Sequence, residues 1–218
     1  NEDQKKEIND FIKSLPNSPF SHFGSKTRFQ ILDMDEIDPS QAKQLGTYGF
    51  VKGTRQFIVG SYTTAEYAVE HYAYLFELII LKATEMGLGT CWLGGSFNRS
   101  GFSAAFQKQS EEHIPAVSPI GPIPENRGLT DKIIRFTANS KSRFPWSKIF
   151  FEGDFSSPLR EEKVIGYHTP LEMVRLAPSA RNGQPWRIVK DLGKNNFHFY
   201  VLDPRKELIG FTQFRRLD

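Results

Sequence analysis

The chain has 218 residues, enough for one large or two small domains with a substantial hydrophobic core. Hydrophobic residues make up 39% and charged residues 24% of the chain, proportions that exclude an intrinsically disordered protein. The formal net charge is only +3, and lysine and arginine form no dense run, so no nucleic-acid partner is implied.

The single cysteine, Cys91, excludes an intramolecular disulfide and favours a reducing compartment, so we expect a cytoplasmic protein. No apolar run approaches the roughly 20 residues of a membrane span, so we expect no membrane partner. The five histidines show no metal-ligand spacing, and no metal site is expected. The sequence begins without methionine inside a helical pattern and stops at Asp218, which we interpret as part of a longer protein.

The first half of the chain predicts one short helix and two strands. The spacing of Ile8, Phe11, Ile12 and Leu15 is typical of a helix, which ends at Pro16. Residues 28–32 and 57–59 predict short strands. Residues 113–128 contain four prolines, and we expect them to form an arm across the surface rather than a regular element.

The longest predicted element is a helix from about Thr64 to Met86. Thr63 and Glu66 match a capping box, and Gly87 provides a C-terminal stop. Because apolar residues cover most of its circumference, we expect this helix to be buried at the centre of the fold.

The second half predicts a helix and a strand hairpin. Thr169, Pro170 and Glu172 match the start of a helix, which continues to about Leu176. Residues 187–189 and 197–201 predict two strands joined by a turn over residues 193–196.

A polar loop joins that helix to the first strand of the hairpin. Between Pro178 and Pro185 it carries a hydroxyl, a guanidinium and two amides, on Ser179, Arg181, Asn182 and Gln184. This set of donors and acceptors suits a flat ligand rich in heteroatoms, and Gly183 would permit close approach to the backbone. An ordinary polar loop between a helix and a strand has the same composition, so that alternative stays open.

A glycine-rich stretch follows the long helix and runs Gly87-Leu88-Gly89-Thr90-Cys91-Trp92-Leu93-Gly94-Gly95. Together with the polar loop it resembles the FMN-dependent nitroreductase family. In that family a loop of the form Ala-Pro-Ser-x-x-Asn-x-Gln-Pro-Trp lies against the flavin. A Gly-x-Gly-Thr-Cys-Trp-x-Gly segment places backbone groups near the reactive edge of the ring.

The two motifs occur here in the reverse of the usual order, which resembles the subgroup that fuses two nitroreductase-like halves into a pseudo-dimer. The resemblance implies an α/β layered fold with a mixed sheet flanked by helices and internal duplication. We expect a first half over 1–150 and the start of a second half over 151–218. A weak repeat supports duplication, because Pro19, Gly24 and Arg28 have the spacing of Pro178, Gly183 and Arg187. In that register Phe20 and Phe23 replace Ser179 and Asn182, so one intact flavin site is expected in a monomer or loose dimer.

The resemblance implies a set of FMN contacts. They are Trp92, Leu93, Gly94, Gly95, Lys141, Arg143, Pro178, Ser179, Ala180, Asn182 and Gln184. The amides of Gly94 and Gly95 would bond the reactive edge, Asn182 and Gln184 the carbonyl and imide edge, and Ser179 the ribityl or pyrimidine side. Lys141 and Arg143 would hold the phosphate. The family's N-terminal Arg-x-Ser-x-Arg phosphate segment does not open this chain.

The implied activity is reduction of nitroaromatic or quinone-like acceptors with NAD(P)H. No side chain is expected to be a dedicated catalytic base, because the flavin carries the chemistry. Cys91 is expected to be a small buried side chain rather than a redox thiol. Two alternatives remain open: a non-catalytic flavin-binding or storage module, and an interaction domain without flavin.

Overall fold

The computed structural model describes residues 2–48, 51, 53–123 and 142–202, together with the backbone of 214–216. The chain divides into two compact units, Asn1–Asn126 and Arg127–Asp218. The unit boundary therefore precedes the boundary at 150 that the motifs predict for the duplicated halves, and the duplication itself stays a prediction. Within the described ranges, no helix has both the length and the apolarity that crossing a membrane would require.

The first unit is built on an antiparallel sheet with the strand order β1-β2-β5-β3, and β4 also pairs with β2. The strands predicted at 28–32 and 57–59 are confirmed as β1 and β2. Its helices are α1 (Glu2–Lys13), α2 (Pro39–Ala42), α3 (Ala68–Glu85) and α4 (Arg99–Ala105). Its strands are β1 (Thr27–Asp33), β2 (Gln56–Thr63), β3 (Leu88–Thr90), β4 (Glu112–His113) and β5 (Val117–Pro122).

Both faces of this sheet are covered, as the alternation along β2 shows. Phe57 and Val59 pack into a cluster that includes Phe102 of α4. Ile58, between them, packs into a second cluster with α1 and with Phe76 of α3. Successive strand side chains point to opposite faces, so the sheet lies between two apolar layers.

The predicted long helix is α3, and it begins later than the sequence predicts. The Thr63 hydroxyl accepts the Lys26 N–H at 3.0 Å at the end of β2, so the predicted capping box is wrong. The predicted stop is confirmed, because Gly87 has a φ of 73° and follows the last turn of α3. The helix is only partly buried, because its apolar residues Val69, Tyr74 and Leu81 are 51%, 40% and 55% exposed.

The predicted surface arm over 113–128 is wrong where the structure describes it, because β5 lies between β2 and β3 in the sheet. Residues 117–120 are buried. Pro119 lacks a backbone N–H, and it has a partner strand on one side only, because β3 is aligned only with residues 120–122. Residues 124–128 lie outside the described residues.

The second unit contains a mixed sheet with the order β6-β7-β8-β9, in which only β6 and β7 are parallel. Its elements are β6 (Phe150–Glu152), α5 (His168–Leu176), β7 (Trp186–Lys190), β8 (Phe197–Leu202) and β9 (Phe214–Arg216). The predicted hairpin is confirmed as β7 and β8. The predicted start at Thr169 is wrong by one residue, since α5 begins at His168 without a side-chain cap.

Candidate functional site

The glycine segment, which we define as residues 87–95, leaves α3 and returns along the sheet. Gly87 ends the helix, and β3 pairs with β5 over residues 88–90. Beyond β3, Leu93 forms an isolated bridge with Val117: its N–H donates to the Val117 carbonyl at 2.8 Å, and its carbonyl accepts at 3.0 Å. The backbone on the N-terminal side of the two final glycines is therefore fixed.

Trp92 anchors the same segment through its side chain. The indole Nε1–H donates to Glu77 Oε2 on α3 at 2.8 Å, and the ring packs edge-on against Phe76 with centroids 4.4 Å apart. Burial raises the pKa of the Glu77 carboxyl, and the hydrogen bond from Trp92 opposes that rise. Trp92 and the buried Leu93 thus fix the segment within the first unit, and their contact with a cofactor stays a prediction.

Gly94 and Gly95 are exposed, and their amides have no hydrogen-bond partner among the described residues. Neither glycine has a positive φ, and a Cβ atom at either position would meet nothing within 4 Å. At Gly101, by contrast, a Cβ would lie 2.4 Å from the Gln44 carbonyl oxygen. The fold therefore requires glycine at 101, whereas no contact among the described residues requires it at 94 and 95, where both amides are open to solvent.

The predicted burial of Cys91 is wrong. Cys91 is exposed, and its backbone N–H donates to Ser118 Oγ at 3.0 Å. The hydrogen bond holds the backbone beside β5 while the side chain faces outward.

The amide loop, which we define as residues 178–187, has an unusual backbone. Arg181, Asn182 and Gln184 have φ values of 52°, 54° and 45°, in the left-handed region. Gly183, where the sequence predicts close approach to the backbone, has an ordinary φ of −68°. The Ser179 hydroxyl closes the loop by accepting the Gln184 N–H at 2.9 Å. Such backbone strain persists only where the surroundings enforce it.

The side chain of Gln184 enforces this conformation. It is 2% exposed, its Oε1 accepts the Phe144 N–H at 2.7 Å, and its Nε2 donates to the Asn182 carbonyl at 3.2 Å. The amide therefore joins the loop to the segment before β6. A direct contact between Gln184 and a flavin ring stays untested, and its burial favours a supporting role.

Asn182 and Arg143 form a second link between the same two segments. Asn182 Nδ2 donates to the Ser142 carbonyl at 3.0 Å, and Arg143 Nη1 donates to Asn182 Oδ1 at 3.2 Å. Arg143 Nε also donates to the Leu176 carbonyl at 3.0 Å. The structure thus brings Arg143 to the amide loop, and its contact with a phosphate stays a prediction. Pro178 and Ala180 are exposed in the loop, and Lys141 lies outside the described residues.

Sequence reasoning missed the supporting groups of both segments. Arg187 donates to the Gln184 carbonyl at 3.1 Å, and burial lowers the pKa of its guanidinium. Arg99 donates from Nη2 to the Gly94 carbonyl at 3.0 Å. No local pattern announces the contacts of Arg187 and Arg99, because each depends on tertiary placement.

The Trp186 Nε1 atom is buried without a partner in the part of the chain that the structure describes.

A separate cleft of about 370 Å³ lies in the second unit. It is lined by Pro145, Trp146, Glu161, His168, Glu172 and Arg175. The His168 and Trp146 rings stack 5.4 Å apart, and Arg175 forms a bidentate ion pair with Glu172. Since Glu161 Oε2 also lies 3.0 Å from His168 Nε2, the polar side chains of this cleft are partnered with one another.

Comparison with known proteins supports the fold. Residues 1–209 match a protein family described as "Putative TM nitroreductase". No curated protein matches the chain. The structure of a "putative nitroreductase" from Thermotoga maritima is 19% identical, with a TM-score of 0.53 over 92% of this chain and 67% of that chain. This similarity confirms the predicted nitroreductase-like fold.

Two clostridial structures are also similar to the chain. A nitroreductase family protein from Clostridium difficile 630 is 12% identical, with a TM-score of 0.48 over 68% of this chain and 84% of that chain. An FMN-dependent nitroreductase from Clostridium difficile R20291 is 18% identical, with a TM-score of 0.42 over 66% and 87% of the respective chains.

Proposed function

Because the chain belongs to the nitroreductase family that matches residues 1–209, we propose that it is an FMN-dependent oxidoreductase. In this proposal NAD(P)H is the reductant, and nitroaromatic or quinone-like compounds are the acceptors. The observation that carries it is the pair of open amides at Gly94 and Gly95. An electron-rich ring edge needs donors that bring no side-chain bulk, and two adjacent glycines supply them.

The glycine segment fits such a ligand because its other groups are already anchored. The side chain of Trp92 is bonded to Glu77, and the backbone of Leu93 is bonded to Val117. Donors held in place before the ligand arrives need no reorganisation when charge develops on it. When bound, FMN supplies hydride acceptance and donation, while the chain supplies binding and orientation.

For the amide loop we propose residue roles that differ from those implied by the resemblance. Gln184 holds the loop against Phe144, and Asn182 holds it against Ser142. The Ser179 hydroxyl accepts the Gln184 N–H, and its own proton remains available to a ligand. Arg143, with Lys141, is the proposed phosphate contact. In this proposal the chain offers donors for an anionic cofactor, and the flavin itself carries the chemistry.

Steady-state oxidation of NADH and NADPH tests the proposal, with a nitroaromatic and a quinone as acceptors. Purified protein loaded with FMN should oxidise at least one nicotinamide in a reaction that depends on the acceptor. Bound flavin without turnover would favour the flavin-storage alternative. A protein that binds no added FMN would leave the interaction-domain alternative.

A further inference from the structure

Among the described residues, the two peptide groups that carry the open amides accept a hydrogen bond at oxygen but donate none from nitrogen. The Leu93 carbonyl accepts the Val117 N–H at 3.0 Å, and the same peptide carries the Gly94 N–H. The Gly94 carbonyl accepts Arg99 Nη2 at 3.0 Å, and that peptide carries the Gly95 N–H. Each open donor thus belongs to a peptide whose acceptor is occupied.

Occupying a carbonyl oxygen changes the other end of its peptide. A hydrogen bond to the oxygen polarises the group and strengthens its N–H as a donor, by roughly 10–30% per bond. A guanidinium polarises more than a neutral amide, because charge-assisted hydrogen bonds are about twice as strong. Gly95 should therefore be a stronger donor than Gly94.

Arg99 occupies a position that helix stability does not favour. It is the first residue of α4, where the helix dipole disfavours a positive charge. Its Nη1 donates to the Ile114 carbonyl, and its guanidinium lies 4.7 Å from the centroid of the Phe97 ring. Within the described ranges it forms no ion pair with a carboxylate. Its charge is directed instead at the carbonyls of Gly94 and Ile114.

We propose that Arg99 is a positioning residue that acts through the Gly94–Gly95 peptide to strengthen the Gly95 N–H as a donor to a bound electron-rich ligand. The identification of that ligand as a flavin rests on the proposed function. Arg99 need not touch the ligand, because the peptide group transmits its effect.

The test compares Arg99→Met with Arg55→Met in the full chain. Arg55 is an exposed arginine paired with Asp35, so it controls for the loss of a surface cation. In the protein without added flavin, Arg99→Met should shift the Gly95 amide proton resonance upfield and shift that of Gly94 less. Arg55→Met should shift neither. If Arg99→Met does not fold, Arg99→Lys is read in the same way, with a smaller upfield shift expected.

A second readout uses the flavin-loaded protein. The flavin reduction potential should become more negative in Arg99→Met, and flavin reduction by NAD(P)H should slow by about two- to tenfold. A folded Arg99 variant with an unchanged Gly95 resonance would overturn the proposal. A protein that binds no flavin would refute the proposed function, while the amide resonance would still decide the role of Arg99.

Discussion

The glycine segment and the amide loop use their polar groups in opposite ways. In the glycine segment, the Trp92 side chain and the carbonyls of Leu93 and Gly94 are anchored to the fold, while the two glycine amides have no partner among the described residues. In the amide loop, the side chains of Asn182 and Gln184 bind their own unit and hold a backbone with positive φ. Polar side chains in a sequence motif can therefore stabilise the loop itself, while backbone amides remain available to a ligand.

The largest expected effect is at Gln184. Replacing it with alanine leaves the Phe144 N–H without this partner and opens a cavity where the buried Gln184 side chain lay. We expect Gln184→Ala to lower the free energy of unfolding of the second unit by about 3 kcal/mol. Chemical denaturation followed by tryptophan fluorescence measures this loss. Wild-type stability in this variant would mean that the amide serves a ligand and not the loop.

The next largest effect is a difference in stability between a substitution at Gly101, outside the glycine segment, and one at Gly94, within it. Gly101→Ala places a Cβ 2.4 Å from the Gln44 carbonyl oxygen and should cost roughly 1–3 kcal/mol of stability. Gly94→Ala meets nothing within 4 Å and should change stability by less than about 0.5 kcal/mol. Flavin affinity should nevertheless fall in Gly94→Ala. Thermal unfolding and flavin titration of the two variants separate these effects, and equal destabilisation would contradict the account.

Two substitutions of Asn182 distinguish the effect of backbone conformation on stability from the effect of hydrogen bonding. Asn182→Ala and Asn182→Gly remove the same amide, but only glycine adopts the φ of 54° without strain. We expect Asn182→Gly to be more stable than Asn182→Ala by about 1 kcal/mol. Denaturation of the two variants side by side measures the difference. The opposite order would show that the left-handed conformation does not limit this loop.

The smallest effect concerns Glu77, which anchors the glycine segment. Burial raises the pKa of its carboxyl above the ordinary 4.5, so the folded protein binds the proton more tightly than the unfolded chain. The charge therefore lowers stability as the pH rises through that range. Glu77→Gln keeps an acceptor for Trp92 and should equal the wild type well below pH 4.5, but be slightly more stable at neutral pH. A variant less stable than the wild type at neutral pH would contradict this sign.

Local patterns predict the elements whose packing is also local. The short apolar and β-branched runs at 28–32 and 57–59 give β1 and β2, and Gly87 ends α3 as expected. The start of α3 could not be predicted, because the Thr63 hydroxyl is used by Lys26 of another element. Strand β5 was hidden by its prolines, and only the tertiary register shows that Pro119 lies outside the stretch aligned with β3 and Pro122 outside the stretch aligned with β2.

The candidate site was also predicted only in part. The motif identifies both segments, but it cannot show that Gln184 is buried against Phe144, a residue forty positions earlier. The predicted repeat also gains a structural parallel. Short 3₁₀ turns begin at Ser21 and Ala180, and the following strands begin at Thr27 and Trp186, with the same separation in both pairs. Duplication stays a prediction, since helices and strands of this kind recur widely.

Flavin content per polypeptide tests the central claim most directly. The purified full-length protein is loaded with FMN, its molecular mass is measured by light scattering, and the released flavin is quantified by absorbance. The account predicts one FMN per chain in a monomer or loose dimer, with a clear loss of flavin in Gly94→Val. A colourless protein that takes up no FMN, or a Gly94→Val variant with full flavin content, would contradict it.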